Sequence, residues 1–115
     1  MVQELPEGTV TVLFTDVVGS TELTNRLGDE RARDVLGACD ELVRGQIERH
    51  RGREVKGTGD GLMVAFTSAR RAIACAVDIQ RAMAERARTD PDSAVGVKIG
   101  MPKHIEMAEP LLGEV

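Results

Sequence analysis

With 115 residues, 42% of them hydrophobic, the chain is one domain's worth of sequence, enough to remove roughly two-thirds of its unfolded surface from water and too little for a second core. A net charge of −4 and a pI near 5.2 argue against a nucleic-acid backbone as partner, and the two aromatic residues, Phe14 and Phe66, give no platform for stacked bases. No apolar run approaches the ~20 residues of a membrane helix, and Met1 to Pro6 lacks the regions of a signal peptide, so a cytoplasmic protein with no membrane partner is expected.

Val10 to Phe14 is a strand-like run of β-branched and aromatic residues, which predicts Asp16 at the strand's carboxyl end. Gly19-Ser20-Thr21 then opens a helix whose first backbone amides have no intrahelical partner, an arrangement that favours a phosphate. A short helix from about Thr21 to Leu27 breaks at Gly28. A longer one follows from about Asp29 to His50, with Ala32, Val35, Leu36, Cys39, Leu42, Val43 and Ile47 on one stripe. Arg49, His50 and Arg51 fill its last turn and Gly52 supplies the stop, so His50 reads as a helix-end residue rather than a base.

Glu54-Val55-Lys56 and Leu62 to Phe66 flank Thr58-Gly59-Asp60-Gly61, the pattern of a hairpin with Asp60 at its tip. Ser68 can cap a helix running to about Ala87, with Ala72, Ile73, Ala76, Ile79, Met83 and Ala87 inside and Arg70, Arg71, Arg81, Arg86 and Arg88 in solvent. Cys39 and Cys75 fall on these helices without ligand spacing and read as buried, reduced thiols. After loop chemistry at Thr89 to Ser93, Ala94 to Gly100 is the fourth strand.

The order β, α(α), β, β, α, β is that of an α+β, ferredoxin-like βαββαβ plait: an antiparallel sheet with helices on one face, the first and third strands adjacent at its centre. Such a plait brings Asp16 and Asp60 together. It also leaves alternate residues of Val10 to Phe14 and Leu62 to Phe66 on a face no helix covers, which predicts a partner protomer there.

Two neighbouring carboxylates repel unless a cation lies between them, and oxygen ligands of this kind suit magnesium or manganese. Lys56, four residues before Asp60, brings a cation to a substrate. Each motif alone is more often structural, an aspartate capping a helix or an Asp-Gly hairpin turn. Together FTDVVGST (Phe14 to Thr21) and KGTGDG (Lys56 to Gly61) resemble the two metal motifs of the class III nucleotidyl cyclases, the adenylyl and guanylyl cyclase catalytic domains.

The resemblance implies a core over residues 9–100, with 1–8 as an extension and 101–115 as a divergent tail. It further implies two divalent cations, Mg or Mn, held by Asp16, Asp60 and the carbonyl of Val17. ATP phosphates would lie on amides at Gly19, Ser20 and Thr21, and Lys56 would read adenine across the interface of a homodimer that shares its sites. The expected reaction is formation of cyclic AMP and pyrophosphate from ATP by two-metal catalysis. The family also supplies an asparagine and an arginine to the transition state, and neither residue type occurs after Gly100. A poor cyclase is therefore expected; the alternative is an incomplete core that binds metal-nucleotide or a partner protein.

Overall fold

The computed structural model describes residues 10–58 and 61–101, with backbone only at Thr58. In chain order these form β1 (Thr11–Val18), α1 (Ser20–Leu27), α2 (Asp29–Arg49), β2 (Arg53–Thr58), β3 (Gly61–Phe66), α3 (Ala69–Thr89), a 3-10 turn (Pro91–Ser93) and β4 (Gly96–Gly100). The strands lie in the order β2-β3-β1-β4 and every neighbouring pair is antiparallel, the α+β plait that the element order predicts.

Alternation along the central strands sorts the apolar residues onto two faces. Leu13 of β1 and Leu62, Val64 and Phe66 of β3 meet Leu23 of α1, the α2 stripe Ala32, Val35, Cys39, Val43 and Ile47, and Ala72, Cys75, Ile79 and Met83 of α3. On the opposite face Val10, Val12, Met63 and Ala65 form a second cluster. These four are 3–5% exposed, so the uncovered apolar patch expected there is not present, and exposure on this face gives no argument for a partner protomer. Phe14 and Val55 are only partly buried beside the cluster, and Val18 at the strand end is half exposed.

Three local expectations need correction. On α3 the inward stripe runs 72, 75, 79, 83; Ile73 lies off that stripe and is 54% exposed, and Cys75 takes the core position expected for it. Arg86 is half-buried rather than solvated, its Nε shielded from water with no partner among the described residues. The end of α2 turns at Arg51, not at Gly52: Arg51 has φ 63°, and the Arg51 and Gly52 amides donate to the carbonyls of Glu48 and Ile47 at 3.0 and 2.8 Å, a Schellman motif. Gly52 is required for another reason, since a Cβ there would lie 2.7 Å from the Phe66 ring.

His50 closes α2 as expected. Its Nδ1 lies 2.8 Å from the Gln46 carbonyl and its Nε2 3.0 Å from Asp78 Oδ2 on α3, which makes it a tie between helices. Ser68 caps α3, its hydroxyl accepting from the Arg71 amide at 3.3 Å.

Candidate functional site

The strand registers place the sequence-predicted residues relative to one another. β1 runs on past its apolar start because Val17 and Val18 pair with Val97 and Gly96 of β4, so Asp16 lies inside a central strand rather than at its end. Its cross-strand partners are Gly61 on one side and Lys98 on the other. Asp60 lies outside the described residues. Its successor Gly61 is the residue opposite Asp16, and β3 comes so close there that a Cβ on Gly61 would lie 1.8 Å from the Thr15 carbonyl oxygen. The buried Thr15 hydroxyl also accepts the Leu62 amide at 3.1 Å, fastening the start of β3 to β1 beside Asp16.

Asp16 alternates with Leu13 and Thr15, which face the helices, and therefore sits on the other face in line with Val12 and Phe14. It is exposed to solvent. Lys56 reaches the same face by an irregularity. Glu54 is opposite Val64, a helix-side residue, whereas Lys56 is opposite Met63, which belongs to the other face. The register shift between them makes Val55 an extra residue, a β-bulge. In a regular strand Glu54 and Lys56 would share a face; the bulge transfers Lys56 to the face of Asp16.

Rungs of the sheet set the spacing. Thr58, Gly61, Asp16 and Lys98 lie on one rung; Lys56, Met63, Phe14 and Gly100 lie on the next rung of the same face. Two residues along a strand and two strands across put the Cα atoms of Lys56 and Asp16 ~12 Å apart. Lys56 is therefore too distant to act on an ion held at Asp16 and is suited to a more remote part of a ligand. Lys98, about 5 Å away in backbone terms, is the nearer cation. The alternation Val97-Lys98-Ile99 marks Lys98 as outward-facing, but only the β1–β4 register reveals that it flanks Asp16.

The loop between β1 and α1 turns at Gly19, whose φ of 88° favours glycine, and no side chain caps the helix. Ser20 and Thr21 begin α1, where the first amides lack intrahelical acceptors. On the helix side, a hollow of about 200 Å³ lies between β1 and α2, lined by Val17, Leu36, Asp40, Arg44, Gly57, Gly61 and Leu62. Asp40 and Arg44 were not singled out by the sequence, where an acid and a base four apart read as a solvated helix pair. A larger apolar hollow of about 520 Å³ lies along α3 and β4, away from these groups, and brings no titratable pair together.

Neither thiol is a nucleophile. Burial pushes the Cys39 thiol up, with the Arg86 guanidinium pulling the other way, and burial together with the Asp78 charge pushes Cys75 up to about 11. Among the described residues no three metal-ligating side chains gather. The donor chemistry on hand, an exposed carboxylate flanked by strand backbone, fits a hard divalent cation that keeps other oxygen ligands.

The antiparallel plait with its helices on one face is the fold of class III nucleotidyl cyclase catalytic domains, and the Asp16 and Lys56 motifs lie on it in the order that the resemblance requires. The chain belongs to this family: the model of the adenylate and guanylate cyclase catalytic domain matches residues 2–105. It is 37% identical over 93 residues to a putative adenylate cyclase 3 of Rhizobium meliloti, covering 78% of this chain and 16% of that protein. An uncharacterized protein of Mycobacterium tuberculosis is 41% identical over 78 residues, covering 66% of this chain and 27% of the relative.

Among solved structures, the adenylyl cyclase CyaB from P. aeruginosa superposes with a TM-score of 0.71 at 22% identity, over 80% of this chain and 54% of that one, a likeness of fold. An adenylate/guanylate cyclase/hydrolase from Silicibacter pomeroyi superposes with a TM-score of 0.63 at 32% identity, over 80% and 53% of the two chains. The chain thus spans about half of each solved structure and less than a third of these curated relatives. No described helix is long and apolar enough to cross a membrane.

Proposed function

We propose that this chain is an adenylyl cyclase catalytic core that takes ATP to cyclic AMP and pyrophosphate. The ribose 3′-oxygen bonds to the α-phosphorus, the bond from that phosphorus to the departing pyrophosphate breaks, and the hydroxyl proton leaves to solvent. The observation that carries the reading is the bulge at Val55, which brings Lys56 onto the sheet face that holds Asp16. Asp16, Asp60 and the Val17 carbonyl would hold two Mg or Mn ions. When bound, such ions lower the pKa of the attacking hydroxyl and neutralise charge on the leaving group.

The chain's own groups do the rest. Amides of Ser20 and Thr21, exposed by the turn at Gly19, bind terminal phosphate oxygens. Lys98 beside Asp16 adds a positive charge for the polyphosphate. Lys56 donates to a ring nitrogen acceptor of adenine, which guanine does not offer at the same position. Its ~12 Å separation from Asp16 suits a homodimer in which Lys56 serves the nucleotide whose phosphates lie on the other protomer.

Residues 101–115 contain neither asparagine nor arginine, which favours a second reading in which these 115 residues bind metal-nucleotide with little turnover. Loss of a preorganised transition-state cation typically lowers kcat by ~100- to 1,000-fold. Calorimetry with ATP and manganese, and a cyclic AMP assay on the same sample, test both. Binding with product supports the enzyme, binding without product supports the incomplete core, and no binding refutes the assignment of the site.

A further inference from the structure

The helix that offers the Ser20 and Thr21 amides has few anchors of its own. α1 is eight residues long, and an isolated helix of that length is marginal, so it stays formed through what it touches. A glycine in a backbone conformation that other residues rarely adopt stands at each end, Gly19 at φ 88°, ψ 19° and Gly28 at φ 90°, ψ 164°, and no side chain caps the start. Leu23 is its one buried residue, and Leu27, one turn on, leans partly buried on the same core. The Thr24 hydroxyl donates back to the Ser20 carbonyl at 2.9 Å, inside the helix, and adds no outside anchor. Both leucines lie on the inward face, so they set the depth of the helix rather than its sideways setting.

A lateral anchor comes from the segment before β4. Arg26 donates from a terminal guanidinium nitrogen to the Asp92 carbonyl at 2.9 Å. That carbonyl belongs to the 3-10 turn Pro91–Ser93, which is itself well fastened. The Ser93 and Ala94 amides donate to the Asp90 and Pro91 carbonyls at 3.0 and 3.2 Å, and the hydroxyl of the buried Ser93 donates to Asp90 Oδ2 at 2.5 Å. Arg26 and Asp92 are exposed, so their bond adds little to global stability and acts on geometry instead. Ser20 and Arg26 each lie three residues from Leu23, on arms of ~4.5 Å. A sideways shift of Arg26 about that pivot therefore moves Ser20 by about as much in the opposite direction.

We propose that Arg26 is a positioning residue: its hold on the Asp92 carbonyl fixes α1 sideways and so sets where the Ser20 and Thr21 amides stand relative to β4, whose Lys98 is the other group offered to the polyphosphate. The role toward phosphate rests on the reading of those amides given above; the anchoring of α1 does not.

Two readouts on the purified chain, compared with Arg26→Met, Arg26→Lys and Ser93→Ala, separate them. The first is amide hydrogen exchange without ligand. Arg26→Met and Ser93→Ala are expected to speed exchange of the Thr24 to Gly28 amides at least threefold with α2 unchanged, and Arg26→Lys, which keeps a donor, to fall between. In α1 the Arg26→Met/Ser93→Ala double variant should exchange no faster than Arg26→Met, because both act on one tie. The second is affinity for magnesium tripolyphosphate by calorimetry, with the Ser20 and Thr21 amide proton shifts followed by NMR. Affinity should fall at least threefold in Arg26→Met, with smaller shifts at both amides, and be restored in part by Arg26→Lys. Unchanged exchange in α1 of Arg26→Met overturns the anchor. Faster exchange with unchanged affinity, in a protein whose Ser20 and Thr21 amides respond to tripolyphosphate, overturns the positioning role. Faster exchange in a protein whose wild-type amides do not respond supports the anchor and overturns the reading of the amides.

Discussion

Replacing Asp16 by asparagine keeps the side chain's shape and removes its charge. Asp16 is exposed, and its cross-strand neighbour Lys98 is exposed as well, so the lost attraction is worth at most about 1 kcal/mol. For a domain of this size that is at most about 4 °C in Tm. The effect on a bound divalent ion is larger. Contact between a carboxylate and such an ion at ~2.1 Å is worth roughly 4 kcal/mol even in the dielectric of water, before dehydration is subtracted. If a third of that survives, manganese affinity falls about tenfold.

Paired thermal melts read both quantities. At manganese a hundredfold above the wild-type Kd, wild type should gain about 2.7 kcal/mol, or ~10 °C, and the variant about half as much. Equal manganese shifts in the two proteins would remove Asp16 from the metal site. A metal-free Tm lowered by more than ~8 °C would instead show that the carboxylate is structural.

Lys98→Gln should strengthen binding of manganese alone about three- to tenfold, since a like charge is removed from beside Asp16, and weaken binding of manganese-ATP; calorimetry on both ligands shows whether the two signs differ. Thr15→Val should cost about 1 kcal/mol, or ~4 °C, and speed exchange of the Leu62 amide that the hydroxyl now accepts; a chain of unchanged Tm and exchange would mean this bond fastens nothing. The Cys75 thiol, raised from 9.0 to about 11, holds its proton more tightly in the folded chain than in the unfolded one. Its contribution is complete below pH 9 and is lost as pH rises toward about 11, by up to about 1.4 kcal/mol per pH unit. The chain has no tyrosine to titrate in that range, and urea unfolding from pH 8 to 11 should show a flatter decline for Cys75→Ala.

The plait was legible because its signals are local and agree: helical stripes, glycine breaks, a capping serine and a hairpin pattern, each in the order one topology demands. The motif residues were legible from two glycine-bearing motifs, with Gly19 three residues after Asp16 and Gly57 directly after Lys56. What escaped was set by pairing between distant segments. Lys98 differs from any outward lysine only because β4 registers against β1 at Asp16. The transfer of Lys56 between faces depends on one unpaired residue, and Glu54-Val55-Lys56 alone gives no sign of it. Burial of Val12, Met63 and Ala65 also defeated alternation, which shows which residues share a face but not whether that face is covered.

The strand order β2-β3-β1-β4 puts the strand with Asp16 between two neighbours and the strand with Lys56 at a margin held by one. Substitutions in β1 disturb both ladders and the helix-side core at once, whereas β2 can gain, lose or shift a residue and disturb a single ladder. If Lys56 reads the base as proposed, a lineage of such domains could alter which base it accepts by small changes along β2 while β1 stays fixed, and nucleotide choice would be the trait most open to drift and selection.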